Sequence, residues 1–282
     1  MKKVVFPVLI CLFLVISCQQ KKETEVKKEV SKLSANGEEK MEPKLTIADA
    51  TTILSKKEVP VLCYHRIRNI LASDGNDMKT YSVNPSDFAG QMKALNDNGY
   101  QTILPDQLYN YLVYGKSLPK KPILITFDDS REEQFSIGAT EMKKYGFKGV
   151  FFIMTVSLNK AGYITDAQIK NLSDEGHSIA AHTWDHHMVT KYSGKDWETQ
   201  FVKPKAKLEK ITDKTVSYFA YPFGLWNEAA IPELKKSGYK MAFILSTKRD
   251  VSNPLFTVRR IIVPGGMSGQ SLLKNIEKKF NK

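Results

Sequence analysis

Two carboxylates stand side by side in Thr126-Phe127-Asp128-Asp129-Ser130, and adjacent acids repel one another unless a cation lies close by. One of the pair can bind a metal while the other moves protons. Downstream, His182-Thr183-Trp184-Asp185-His186 sets two imidazoles four residues apart, close enough to share one ion on a helical or turning segment. Joined by an Asp from elsewhere in the chain, they form a two-histidine, one-carboxylate set. Such a set leaves positions open for water and substrate, which marks a catalytic centre and not a structural one. Zinc suits these nitrogen ligands, with cobalt or nickel as substitutes. Ser130 also has a competing local reading. Glu133 follows it at the spacing of a capping box, so the stretch is expected to start a helix while leaving the Asp pair free.

The elements that must position these groups follow from the hydrophobic pattern. From residue 58 onward, short apolar or β-branched runs alternate with longer stretches of helical period, the pattern of parallel strands joined by crossover helices. Strands are expected at 59–64, 101–104, 123–127, 149–154, 178–181, 217–221, 241–245 and 257–263. Helices are expected at 87–98, 133–145 and 227–236, each followed by a glycine that can end it. The fold class is therefore α/β in one domain, and seven or eight such units favour a barrel-like fold over an open sheet. In such barrels the loops after the C-terminal strand ends meet at one mouth. His65, Asp128, Asp129, His182 and Pro222 all follow expected strands, so four strand ends converge there.

Taken in order, these motifs resemble those of the polysaccharide deacetylases, carbohydrate esterase family four. Thr126 to Asp129 is similar to the family's Thr-Phe-Asp-Asp, and Gly176-His177-Ser178-Ile179 through His182 and His186 to its His-Ser/Thr-x-x-His region. Tyr221-Pro222-Phe223-Gly224 is similar to its Pro-Tyr-Gly turn. The resemblance covers most of residues 58–265. It implies Asp128 as general base and Asp129, His182 and His186 as holders of one divalent metal, zinc first. It also implies the fold, a distorted parallel (β/α) barrel of about seven strands. From the residues themselves, an oxyanion contact is expected from the backbone near Phe223, where the Pro222 turn points an amide into the mouth, and sugar stacking from Trp226. Ser130 stands where the family usually has Gly. Ala220 stands where many members have an Arg that pairs with the catalytic Asp, so Arg259 and Arg260 are the candidates to tune that base. No His follows His187, so the catalytic acid is expected at His65, in a Tyr64-His65 arrangement resembling the subgroup that acts on poly-N-acetylglucosamine. Peptidoglycan or chitin oligomers are the alternative substrates. Cys63 is expected to be an apolar strand residue, while His177 and His187 are left out of the metal set.

The ends and the composition bound the remaining possibilities. Lys2 and Lys3 precede an apolar run from Val4 to Ile16 that is too short to span a bilayer, which needs roughly 20 residues. Residues 1–18 are read as a lipoprotein signal peptide, with Cys18 as the lipidated residue. Residues 19–57, rich in Lys, Glu, Ser and Thr, are read as a disordered tether, and 58–282 as the deacetylase domain. The expected setting is the bacterial cell envelope, on the inner or outer membrane and facing the periplasm or exterior. The net charge of +12 is scattered without an arginine-aromatic stripe, so no nucleic-acid partner is expected. The expected partners are an N-acetylated polysaccharide and a membrane reached through the anchor, with the protein a monomer. A non-catalytic glycan-binding lipoprotein is the rival from another class.

Overall fold

Strand alternation builds the barrel, because successive side chains must point to opposite faces. The computed structural model of the chain describes residues 46–245 and 248–280. Its strands are β1 (Val61–Tyr64), β2 (Arg66–Ile67), β3 (Ser82–Val83), β4 (Gln101–Thr102), β5 (Pro122–Phe127), β6 (Val150–Ile153), β7 (Ser178–Ala181), β8 (Tyr218–Ala220), β9 (Met241–Leu245) and β10 (Val258–Ile262). Strands β5 to β10 run parallel in sequence order, β10 pairs with β1, and β1 pairs back with β5. That last pairing, from Val61 opposite Leu124 to Tyr64 opposite Phe127, closes a barrel of seven parallel strands.

Two buried clusters show the alternation. Val61, Leu124, Val150, Phe152, Ala180, Ala220 and Phe243 form one, the interior of the barrel. Their neighbours Leu62, Ile125, Phe127, Phe151, Ala181, Phe219 and Ile244 belong to the other, beneath the surrounding helices. The helix Pro85–Asp97 contributes Phe88, Met92 and Leu95 to this outer layer and packs against Gly269–Phe280. Pro85 at its first turn fits there because the missing N–H would have no helical partner.

The structure corrects the expected elements in three places. Residues 101–104 do not supply a barrel strand: only Gln101–Thr102 pairs, with Pro122 and Ile123 at the start of β5, before the stretch of β5 that pairs with β1. Pro105 opens a helix immediately after Leu104, which ends the strand. The expected helix 133–145 begins as a π-helical turn, Gln134–Ala139, before Thr140–Lys143 becomes α-helical. The third correction concerns the start of the folded domain, expected at residue 58.

Residues 1–45, with the expected signal, Cys18 and most of the expected tether, lie outside the described residues. The remaining part, 46–57, contains a helix, Ala50–Ser55. Asp49 caps it by accepting from the Thr52 N–H at 2.7 Å. Ile53 is buried in the interior cluster, the Ala48 N–H donates to the Val113 carbonyl, and Lys56 donates to that of Tyr111. This segment earns its order by burying an isoleucine, so a chain begun at Thr46 is expected to be about 1.5–3 kcal/mol more stable than one begun at Glu58. Urea denaturation of the two chains measures the difference.

Candidate active site

The same alternation delivers the chemistry. Cys63, Thr126 and Arg260 point into the barrel, and His65, Asp128 and His182 continue the inward set just past the ends of β1, β5 and β7. The ladder extends with them: the Asp128 N–H donates to the Tyr64 carbonyl and the His182 N–H to that of Ile153, each at 2.9 Å. His65, Asp128, Asp129, His182, His186 and Phe223 line one cavity of about 220 Å³ at the mouth. A larger cleft, between the Ala50–Ser55 segment and the end of Gly269–Phe280, shares no residue with it.

Arg260 holds Asp128 with both arms, Nη1 to Oδ1 at 2.6 Å and Nη2 to Oδ2 at 2.7 Å, and neither side chain reaches solvent. Nη1 also donates to Thr126 Oγ1, which in turn donates to the Leu62 carbonyl. Burial drives the Asp128 carboxyl upward, but the guanidinium and the nearby imidazoles outweigh it and hold the group at about 2. Arg260 therefore occupies the role left open by Ala220, whose carbonyl accepts from His182 Nδ1 at 2.7 Å. Arg259, the other candidate, is corrected. It sits one residue out of phase, faces away from the interior, and pairs with Glu58 through two contacts of 2.6 Å.

Asp129 Oδ1 lies 3.5 Å from His182 Nε2 and 3.3 Å from His186 Nε2. It is buried and has no hydrogen-bond partner. Because a carbonyl can only accept, His182 Nδ1 carries the proton and, in the neutral ring, Nε2 presents a lone pair to the cavity. An orphaned carboxylate oxygen and two imidazole nitrogens, all within 4.8 Å of one another, fit a divalent metal. Burial pushes the His186 imidazole down to about 4, which leaves it neutral and able to ligate, whereas at His182 burial is outweighed by Asp128 and Asp129, which raise that imidazole.

This cluster is held by strained backbone. Seven non-glycine residues among those described have positive φ, and five of them, Asp129, Ser130, Thr183, His186 and Phe223, belong to this site. Ser130 adopts φ +59°, the region where the glycine of related motifs would be at ease, and its hydroxyl accepts from the Met154 N–H at 2.7 Å. The capping-box reading of Ser130 and Glu133 is thereby corrected, since Glu133 pairs with Arg66 instead. The spacing of His182 and His186 is achieved by a turn and not a helix, tied by the His186 N–H to Thr183 Oγ1 at 2.9 Å. Gly224 is left-handed with its Cα against Leu245: a Cβ there would come within 2.6 Å of that residue's backbone N.

The remaining sequence candidates divide by location. His65 lines the cavity, with its ring 4.7 Å from Tyr81 and Nδ1 4.0 Å from Cys63 Sγ. Tyr64 points outward and donates to Gln91 Oε1 at 2.8 Å. Phe223 is half-exposed with its ring 4.5 Å from that of His186, whereas Pro222 is buried and Trp226 packs against the outer core without lining the cavity. His177 accepts from the Gly149 N–H and His187 pairs with Asp185, both away from the cavity. Cys63, expected to be merely apolar, donates to Asp128 Oδ2 at 3.6 Å.

Sequence reasoning missed several residues. Gln134 donates to the carbonyls of both His65 and Asp128, tying two strand ends together. Met78 and Tyr81, from the helix Asn76–Tyr81, and Arg66 and Arg131 also line the cavity. Arg66, next to His65, and Arg131, three residues after Asp128, are close to site residues in sequence, but nothing local shows that their side chains line the cavity. The pair at the base of the site yields a direct test. Arg260→Met strands a buried carboxylate and is expected to cost about 3–5 kcal/mol, while adding Asp128→Asn recovers part of the loss. Chemical denaturation of the single and double variants reads both effects.

Comparison with known proteins agrees with this geometry. The family model described as polysaccharide deacetylase matches residues 115–242. A Bacillus subtilis protein named for the same family is 30% identical over 223 residues, covering 78% of this chain and 76% of its own. A Staphylococcus aureus poly-beta-1,6-N-acetyl-D-glucosamine N-deacetylase is 29% identical over 229 residues, covering 73% of this chain and 79% of its own. Among solved structures, the Streptococcus pyogenes deacetylase PplD in complex with acetate superposes with a TM-score of 0.71 at 26% identity, over 77% of this chain and 97% of that one. On these grounds the chain belongs to the polysaccharide deacetylase family and is a hydrolase of amide bonds in polysaccharide.

Proposed function

We propose that this enzyme removes N-acetyl groups from poly-N-acetylglucosamine, with Asp128 as general base, His65 as general acid, and Asp129, His182 and His186 holding one divalent ion, zinc. The observation that carries the reading is the cavity in which an ionised, arginine-held carboxylate adjoins an orphaned carboxylate oxygen and two imidazole nitrogens. The staphylococcal relative's name supports the choice of polymer.

When bound, a divalent ion supplies polarisation of the acetyl carbonyl and a more acidic water. Asp128, kept ionised and oriented by Arg260, accepts the proton of the attacking water. The backbone amide of Phe223, in its left-handed turn, is suited to donate to the oxyanion. His65 gives a proton to the departing nitrogen, so acetate and a free amine result. Burial holds the His65 imidazole below its ordinary value, and the nearby Asp128 and Asp129 offset only part of that, so its acid form depends on those carboxylates. Phe223 offers a face against which a sugar ring can stack.

The setting is part of the proposal. Residues 1–18 direct export and Cys18 is lipidated, so the chain before Thr46 tethers the catalytic domain, which extends to Lys282, to the cell envelope. Among the described residues no helix is long and apolar enough to cross a membrane.

The decisive assay is acetate release from poly-N-acetylglucosamine oligomers by the chain from Thr46 onward. Chelator is expected to abolish release and added zinc to restore it. Asp129→Asn is expected to remove zinc binding, measured by metal analysis, together with activity. Asp128→Asn and His65→Asn are each expected to lower kcat by about 10²–10⁴-fold. No acetate from this polymer, with release from peptidoglycan or chitin fragments instead, would reassign the substrate. Wild-type turnover by His65→Asn would remove it from the mechanism.

A further inference from the structure

Arg131 lines the cavity, and among the described residues no carboxylate forms an ion pair with it. The ion pairs formed by arginines among the described residues involve Arg66, Arg68, Arg259 and Arg260, and none involves Arg131. Its Nε is shut off from solvent without a hydrogen-bond partner. The residue is nevertheless fixed in place. It bridges Tyr163 in an isolated antiparallel pair, and its guanidinium stacks over that tyrosine ring at 4.3 Å. Flanking bonds from Glu132 N–H to the Gly162 carbonyl and from Ile164 N–H to the Ser130 carbonyl pin the loop on both sides.

A guanidinium only donates, so a pre-positioned and unpaired one favours an acceptor-bearing ligand and opposes a cation. The other charges at the cavity leave this preference standing. Arg66 is spent on Glu133, Asp128 is held by Arg260, Asp129 faces His182 and His186 and is assigned to the metal proposed above, and Asp77 lies on an exposed helical turn where solvent screens it. The reaction proposed above converts what Arg131 would meet. Water adds across the amide, acetate leaves, and the amine takes up a proton, so a neutral acetamide with a carbonyl acceptor becomes an ammonium donor.

We propose that Arg131 is a specificity residue that distinguishes acetylated from deacetylated neighbours of the reacting sugar, so the enzyme works at spaced positions along the polymer and not in runs. This rests on the function proposed above. Repulsion between unit charges several ångströms apart, at an effective dielectric between that of the protein surface and water, corresponds to roughly tenfold in rate.

The experiment compares kcat/KM for two β-1,6-linked trimers, one with three N-acetylglucosamine units and one with its central N-acetylglucosamine flanked by glucosamines. The ratio between them is measured for wild type, Arg131→Gln, Arg131→Lys and Arg131→Glu, with thermal unfolding as a fold check. Wild type and Arg131→Lys are expected to favour the fully acetylated trimer. Arg131→Gln should shrink the ratio roughly tenfold, and Arg131→Glu should shrink it further. In the wild type the ratio should also decline between low and high salt. An unchanged ratio in Arg131→Gln, or a wild-type ratio insensitive to salt, would overturn the proposal while leaving the deacetylase function intact. No acetate release by the wild type from the fully acetylated trimer would overturn both.

Discussion

The bidentate contact between Arg260 and Asp128 is the interaction around which the rest of the molecule is arranged. It joins residues 132 positions apart, one on the last barrel strand and one at the end of β5, and both are sealed from solvent. Charges so buried are tolerable only when they are paired and most of their polar atoms are hydrogen-bonded. Thr126 and Cys63 complete the shell, donating respectively to the Leu62 carbonyl and to Asp128 itself. The Arg260 Nε remains without a partner, with Phe152 5.0 Å beneath the guanidinium. Barrel closure makes this arrangement possible. β10 must pair with β1, and β1 with β5, before residue 260 can face residue 128.

The neighbouring Asp129 lives under the opposite rule. Where Asp128 is fully paired, Asp129 keeps one buried oxygen unsatisfied beside two imidazoles. The pair therefore separates into an anion compensated within the protein and one left for a metal. Backbone strain accompanies the separation, since Asp129 and Ser130 are both left-handed, while the two carboxylates flank the same His182 Nε2 at 3.8 and 3.5 Å. Strain at Thr183, His186 and Phe223 brings the other half of the site to the same mouth. Hydrogen bonds from Met154 N–H to Ser130 and from His186 N–H to Thr183 oppose its release.

Much of this was legible in the amino-acid order. Alternating hydrophobicity located all seven barrel strands, because a parallel strand buried on both faces is a compact apolar run that few other elements imitate. Residues 101–104 misled because a two-residue edge strand at the start of β5 shares that signature, and Pro105 opens a helix before it can continue. The Ser130–Glu133 spacing misled for a similar reason. A capping box is a local pattern, but Ser130 found a better partner in Met154 and Glu133 in Arg66, both supplied by other strand ends.

The sequence by itself determined the fold class, the adjacent acids, the paired histidines and the turn at Pro222, since each depends on residue type and short spacing. Only the tertiary structure decided between Arg259 and Arg260. The two are neighbours in sequence, yet pleating sends one outward to Glu58 and the other inward to Asp128, and the phase is set by the strands on either side. Tertiary structure alone also excluded Trp226 from the cavity lining and brought in Gln134, Tyr81 and Arg131. Their roles arise from contacts between segments distant in the chain, and no spacing rule along one segment can encode what another segment will place beside it.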